Sequence, residues 1–148
     1  MSVAFGVVTE TMILTPTGLV AAGQLTVGDV VVAHDPVTQT TVHRPIQEVH
    51  PSHVTQLVDL VTTEASLTGV TPGTNVWDAF DEMYRAAASL SPLAELLGQS
   101  DTGLQTAPIL EVPEREVPPT QVIQFAIEGD EGAYFASGFL VKAALKEG

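Results

Sequence analysis

The stretch MILTPTGLVA, residues 12–21, decides the fold of this chain. It holds two short apolar runs, residues 12–14 and 19–21, on either side of Thr15-Pro16-Thr17-Gly18. Proline presets φ for a tight turn, and glycine adopts conformations that other residues avoid. Short apolar runs joined by such a turn are typical of paired strands, whereas a helix needs a longer apolar period. The stretch therefore predicts a β-hairpin.

Short apolar runs separated by turn residues continue along the chain after this hairpin. Residues 27–35 carry a turn at Gly28-Asp29 and then a nearly continuous apolar run, which predicts a strand buried on both faces. Further strands are predicted over residues 41–49, 56–62, 109–112, 122–127, 133–136 and 139–141. The prolines from Pro113 to Pro119 are expected to break regular structure. The sequence thus predicts one mostly β domain over residues 1–148.

Residues 75–98 follow a different pattern. Apolar side chains recur there at the spacing of one helix face: Val76, Phe80, Met83, Tyr84 and Ala87. Ser91-Pro92 is typical of the start of a second short helix, which Gly98 would end. We therefore expect a short helical insertion at about residues 75–98. Its large side chains, Trp77 among them, are interpreted as packing on the sheet, with docking to a partner as the alternative.

The composition excludes several classes of function. Eighteen acidic residues against five basic ones give a net charge of −13, which opposes binding to a phosphate backbone, so no nucleic acid partner is expected. The chain has no cysteine, so disulfides, thiolate nucleophiles and thiolate metal sites are excluded. No stretch approaches the ~20 apolar residues of a membrane span, and we expect neither a membrane partner nor a targeting segment.

Four histidines, His34, His43, His50 and His53, fall within twenty residues. Coordination of a metal demands three or four converging ligands. His43 and His50 have opposite strand parity, and no Asp or Glu completes a ligand pattern with them. The histidines are therefore interpreted as surface or loop residues, and no metal or other cofactor is expected.

Other candidate chemistry has a structural interpretation. Asp78, Asp81 and Glu82 are interpreted as solvated residues of the expected helix. The run Glu111–Glu116 is interpreted as a solvated loop in extended conformation, with a contact arm as the equal alternative. No G-x-S-x-G nucleophile sequence and no glycine-rich phosphate loop occurs. The residues alone therefore identify no catalytic or cofactor-binding side chain.

Three separated stretches carry a resemblance to a known family. The first runs from Ile13 through Thr15-Pro16-Thr17-Gly18 to Gly28-Asp29-Val30-Val31. The second is Val70-Thr71-Pro72-Gly73-Thr74, and the third is AYFASGFLVKA, residues 133–143. In this order they resemble the Hint domain, the fold shared by inteins and hedgehog autoprocessing domains. The resemblance implies a Hint-like β fold with the helical stretch as an insertion.

The resemblance also implies where reactive residues would stand. Family chemistry uses a Cys or Ser nucleophile, a Thr and a His that polarise the attacked peptide, a penultimate His and a terminal Asn. In this sequence Gly6 stands at the nucleophile position, Thr71 is kept, and Thr74 replaces the first His. Lys142 and Ala143 replace the final His and Asn. The resemblance thus implies a Hint fold that has lost the residues needed for autoprocessing.

Thr9 and Thr11 are the replacement nucleophiles that the sequence offers, but no histidine lies in the blocks around them. We therefore expect a non-enzymatic structural protein, a bacteriophage virion component such as a capsid decoration or tail subunit. Its expected partners are virion proteins such as capsid or tail subunits and copies of itself, and its expected location is the virion. The alternatives are a cytoplasmic interaction module and an atypical autoprocessing domain.

Overall fold

The computed structural model describes residues 5–63, 65–100, 103–129 and 131–144. In these ranges most residues lie in strands and very few in helical turns, which confirms the mostly β prediction. The strands are β1 Val7–Val8, β2 Met12–Thr15, β3 Gly18–Ala21, β4 Val30–Asp35, β5 Thr40–Thr62, β6 Ser66–Val70, β7 Asn75–Asp78, β8 Met83–Ala86, β9 Glu95–Ser100, β10 Gly103–Glu111, β11 Glu114–Ile127, β12 Ala133–Ala136 and β13 Phe139–Lys142. Single 3₁₀ turns cover Ala22–Gln24 and Ala87–Ser89.

One hydrogen-bonded path joins most strands, in the order β11-β1-β6-β5-β10-β9-β7-β13-β12-β2-β3. β4 pairs with β12 and β5, and β8 pairs with β7. The hairpin expected at residues 12–21 is present, with Ile13 opposite Val20 and Leu14 opposite Leu19. Gly18 closes its turn at φ 129°, a region that favours glycine.

A long antiparallel ribbon of β5 and β11 replaces two sequence predictions. Residues 40–62 form one strand of 23 residues rather than two separate strands. β11 pairs with it from Glu114 opposite Val58 to Ile127 opposite Ile46. The expectation that residues 113–119 break regular structure is wrong, because β11 runs through them as one strand from Glu114 to Ile127. The break is reduced to a shift of register between Glu116 and Thr120. That irregularity holds Pro118 and Pro119, which have no N–H to donate to a ladder.

The helical insertion expected at residues 75–98 is also wrong, because this segment forms β7, β8 and β9. β7 pairs with β8 through Trp77 opposite Tyr84, and with β13 through Val76 opposite Val141. The carboxylate of Asp78 turns the chain between the two strands by accepting the Phe80 N–H at 3.0 Å. Pairing with distant strands outweighs the helical spacing, which is a weak local preference.

Two apolar clusters stabilise the sheet. The main cluster draws on most strands and includes the edge-on pair Phe125 and Tyr134, with ring centres 5.7 Å apart. The second cluster consists of Val32, Trp77, Ala133, Phe135 and Leu140, with Tyr84 and Leu97 packed against it. Trp77 and Tyr84 are therefore packed on the sheet, as expected, whereas Phe80 and Met83 are 65% and 45% exposed.

Candidate functional site

Gly6, Thr71 and Thr74 converge where β1 pairs with β6 through Val7 opposite Val70. The Gly6 N–H donates to the Thr74 hydroxyl at 2.7 Å, and the Thr71 N–H donates to the Gly6 carbonyl at 3.0 Å. The two threonine hydroxyls lie 2.6 Å apart, and the Thr74 hydroxyl is 3.2 Å from the Gly6 carbonyl oxygen. Both threonines are fully or almost fully buried. The resemblance therefore placed these three residues correctly together, 68 positions apart in sequence for Gly6 and Thr74.

The backbone at Gly6 leaves no space for a side chain. Its φ of 133° lies in the region that favours glycine. A Cβ built on Gly6 would overlap the carbonyl oxygen of Ile123 and lie 2.6 Å from the Ile123 carbonyl carbon. The atoms in the way belong to the β11 backbone and not to a flexible side chain. A serine or cysteine at this position would therefore have to displace the strand.

Gln124 connects this corner of the molecule to Lys142. A Cβ on Gly6 would lie 3.0 Å from the Gln124 amide nitrogen. The Gln124 side-chain N–H donates to the Lys142 carbonyl at 3.1 Å, and its amide oxygen accepts from the Tyr134 hydroxyl at 2.7 Å. The same oxygen accepts the Phe125 N–H at 3.0 Å. Sequence reasoning missed Gln124, although one amide inside the apolar run VIQFAI was a signal for a buried polar contact.

Lys142 is the final residue of β13 and Ala143 follows it, and backbone hydrogen bonds hold the segment in place. The Ala143 N–H donates to the Gly132 carbonyl at 2.8 Å, and the Ala144 N–H donates to the Phe125 carbonyl at 2.8 Å. The Lys142 ammonium group lies over the Tyr84 ring, 5.3 Å from its centre, in a cation–π contact. The side chain at the family's final His position therefore contacts the second apolar cluster.

The two threonines considered as replacement nucleophiles have no histidine hydrogen-bonded to them in the described residues. The Thr9 hydroxyl donates to a Glu10 carboxylate oxygen at 3.0 Å. The Thr11 hydroxyl is buried and, within the described residues, has no hydrogen-bond partner. An alcohol needs an adjacent general base to become a useful nucleophile. In the described residues, Thr11 has no such group, and Thr9 has the exposed Glu10 carboxylate alone.

The interpretation of the histidines as surface residues is confirmed for three of them and wrong for His34. His43, His50 and His53 are exposed along β5, whereas His34 is 1% exposed on β4. His34 Nδ1 lies 2.8 Å from the Thr41 hydroxyl, and burial lowers the pKa of its imidazole. A fully buried strand position explains the difference, because both faces of β4 are covered. Within the described ranges no three His, Asp or Glu side chains form a group that could hold a metal ion.

Two carboxylates that the sequence analysis interpreted as solvated, those of Asp78 and Asp81, form ion pairs. Asp78 is 2% exposed and pairs with Arg85 at 3.2 Å, while Arg85 also contacts Asp81. The solvated interpretation is therefore wrong for Asp78, because the β7–β8 hairpin turns its side chain inward. The interpretation of residues 114–116 as a loop is wrong too, since they lie in β11, where Arg115 forms two 3.0 Å hydrogen bonds to Asp59.

In the described part of the chain, no helix is long and apolar enough to cross a membrane.

No protein-family model matches the chain, and no curated protein matches its sequence. Solved structures do match. The bacterial intein-like domain from Clostridium thermocellum aligns with a TM-score of 0.82 at 26% identity, covering 95% of this chain and 99% of that one. The DnaB intein from Synechocystis sp. PCC 6803 gives 0.84 at 12% identity, covering 96% and 100%. The PabCDC21-1 intein gives 0.83 at 16% identity, covering 96% and 100%.

These similarities extend over nearly the whole chain and agree with the convergence of Gly6, Thr71 and Thr74. The chain therefore has the Hint fold, as its sequence motifs implied, and this fold is similar to that of inteins and of a bacterial intein-like domain.

Proposed function

We propose that this chain is a Hint-like domain that does not cleave itself and that acts by binding other proteins. The observation that carries the proposal is the closed space at Gly6, where the β11 backbone at Ile123 occupies the position of any side chain. The position of the family's nucleophile thus holds a glycine, and the Ile123 backbone fills the space that a nucleophilic side chain would need. The domain is in this sense a pseudoenzyme.

The remaining polar groups near Gly6 support the proposal because they are used in structural hydrogen bonds. The Thr74 hydroxyl accepts the Gly6 N–H, so it holds the segment in place instead of acting as a base. Gln124 holds the Lys142 carbonyl, and the following residue is an alanine with no amide to cyclise. Loss of one member of such a catalytic unit commonly costs orders of magnitude in rate.

The experiment that tests inertness is a double fusion. One reporter domain is fused ahead of Met1 and a second after Gly148, and the product is followed by intact mass with and without hydroxylamine, which cleaves esters and thioesters. We expect a single species at the full fusion mass. A ligated pair of reporters, or any released reporter, would contradict the proposal. An intein with intact reactive residues in the same fusion is the positive control.

We propose a bacteriophage virion as the setting, with the domain as a capsid decoration or tail subunit. Such a subunit needs a stable core and a complementary surface and no chemistry. The fully buried aromatic residues Phe125, Tyr134 and Phe135 support the first requirement. The test is sedimentation of intact particles: a virion component enters the particle fraction in a fixed ratio to the capsid protein. Protein found only in the soluble fraction would favour the cytoplasmic interaction module.

A further inference from the structure

We propose that a cavity beside the second apolar cluster binds an ammonium group, and that its occupant is a lysine side chain of a partner protein. The cavity has a volume of about 260 Å³. The inference rests on the proposed function, since it names the chemistry of the partner that a binding domain would recognise.

The walls of the cavity combine apolar and polar groups. Trp77, Leu97 and Leu104 supply apolar surface, and His34, Gln39 and Glu82 supply polar atoms. A lysine side chain needs both kinds of surface, because its four methylene groups favour apolar contact while the ammonium group requires acceptors or an aromatic face. The cavity is large enough for such a side chain and is lined in the corresponding way.

The charges around the cavity favour a cation. Glu82 carries the formal charge among the described residues that line it, and its side chain is at the surface. Asp35 follows His34 in sequence, and its negative charge acts on both His34 and Tyr84. Burial keeps His34 in the neutral form at pH 7, so the imidazole does not cancel these charges. An anion or an additional carboxylate would be repelled.

The chain already binds one ammonium group on the adjoining aromatic pair. Trp77 and Tyr84 meet edge to face with ring centres 5.1 Å apart. Lys142 places its ammonium group 5.3 Å from the centre of the Tyr84 ring. The partner's lysine would lie against Trp77, the other member of this pair, with the Glu82 carboxylate near. Indole is the aromatic group that attracts cations most strongly.

The lysine is expected to come from a partner because the described basic side chains of this chain have contacts elsewhere. Arg44 pairs with Glu131, Arg85 with Asp78, and Arg115 with Asp59. Lys142 lies over Tyr84. With a net charge of −13, the surface attracts basic partners over a distance of roughly a Debye length, about 8 Å at physiological salt. Charge complementarity thus selects the occupant.

The position of Trp77 gives a direct measurement, because it is the chain's single tryptophan. The full-length protein is titrated with Nα-acetyl-lysine amide, and the indole fluorescence and the indole N–H resonance are followed. Nα-acetyl-norleucine amide, which keeps the four-carbon side chain without the ammonium group, is the matched ligand. We expect saturation with the lysine compound and at least tenfold weaker binding of the norleucine compound.

Two variants locate the site. Glu82→Gln removes the carboxylate and should weaken binding of the lysine compound at least fivefold, while Glu128→Gln removes an exposed carboxylate outside the cavity and should leave it unchanged. Equal binding of the two ligands, equal loss in both variants, or no saturation below a Kd of about 10 mM would each overturn the proposal. The double fusion reads cleavage and not binding, so failure here leaves the proposed inertness standing.

Discussion

The Thr74 hydroxyl accepts the Gly6 N–H at 2.7 Å and lies 3.2 Å from the carbonyl oxygen of the same residue. One side chain therefore contacts both polar backbone groups of Gly6, the residue that the resemblance places at the family's nucleophile position. The contact is fully buried, since Thr74 has no exposed surface. The Thr74 side chain thus links the residue before β1 to the segment that follows β6.

The closed space at Gly6 predicts an unusually destabilising Gly6→Ala substitution. Gly18 is the matched control, because its φ of 129° is close to the 133° of Gly6 while nothing lies within 4 Å of its added Cβ. Gly18→Ala therefore reports backbone strain alone, about 1–3 kcal/mol. Gly6→Ala adds the overlap with Ile123, for about 2 kcal/mol more. Urea denaturation of both variants checks the difference, and equal losses would show that the β11 backbone yields freely.

Restoring the reactive side chains is expected not to restore the reaction. The variant carries Gly6→Cys, Thr74→His, Lys142→His and Ala143→Asn together in the double fusion. The cysteine has no space beside Ile123, and loss of the Thr74 hydroxyl releases the Gly6 N–H. Intact mass should show the uncleaved fusion. Circular dichroism establishes whether the variant is folded, and a folded variant that releases either reporter would refute this account of Gly6.

The two buried threonines should respond in opposite ways to loss of their hydroxyls. Thr74→Val leaves the Gly6 N–H without its acceptor and should lower the free energy of unfolding by about 1–3 kcal/mol. Thr11→Val removes a buried hydroxyl that has no partner in the described residues, and should be neutral or stabilising. Thr74→Ser keeps the acceptor and should retain most of the stability. Thermal denaturation of the three variants tests the ordering.

Gln124 should contribute strongly to stability. Gln124→Leu keeps the approximate volume but leaves the Tyr134 hydroxyl and the Lys142 carbonyl without this partner, at a cost of about 2–4 kcal/mol. Gln121 lies exposed on the same strand, and Gln121→Leu should change stability by less than ~0.5 kcal/mol. Chemical denaturation of the pair measures the effect. Equal values would mean that the buried amide hydrogen bonds contribute nothing.

Burial of His34 predicts a loss of stability on mild acidification. The pKa of its imidazole is lowered from 6.5 by desolvation, so the unfolded state takes up a proton before the folded state does. The stabilisation is fully present above pH 6.5 and is lost as the pH falls toward the folded-state pKa, by at most about 1.4 kcal/mol per pH unit. Urea denaturation across this window measures the slope. His34→Gln should flatten it, whereas His43→Gln, at an exposed position, should not.

Local patterns predicted the elements whose partners lie close in sequence. The hairpin of residues 12–21 follows from one turn and two short apolar runs, and β12 and β13 follow from a turn at Ser137-Gly138 in the same way. The helix prediction for residues 75–98 failed because two structures fit their apolar spacing. One is a single helix face, and the other is a pair of alternating strands joined by the turn after Asp78. Pairing with β13 and β9 decides between them, and a local pattern does not contain that information.

The burial of His34 and the role of Gln124 were beyond prediction for a related reason. His34 stands in an apolar run that was correctly predicted to be covered on both faces, yet its partner Thr41 becomes a neighbour only when β4 pairs with β5. Gln124 reaches Lys142 and Tyr134 only across β11, β12 and β13. A polar residue in an apolar strand signals some buried contact without identifying the partner.

By itself, the sequence determined that the chain forms a β fold of the Hint type and that it contains no cysteine, because residue identity and short turns are local properties. Only the tertiary structure decided that Gly6 has no room for a side chain. That space is closed where Val7 pairs with Ile123, two residues far apart in sequence, and a contact of this kind exists only once the chain has folded.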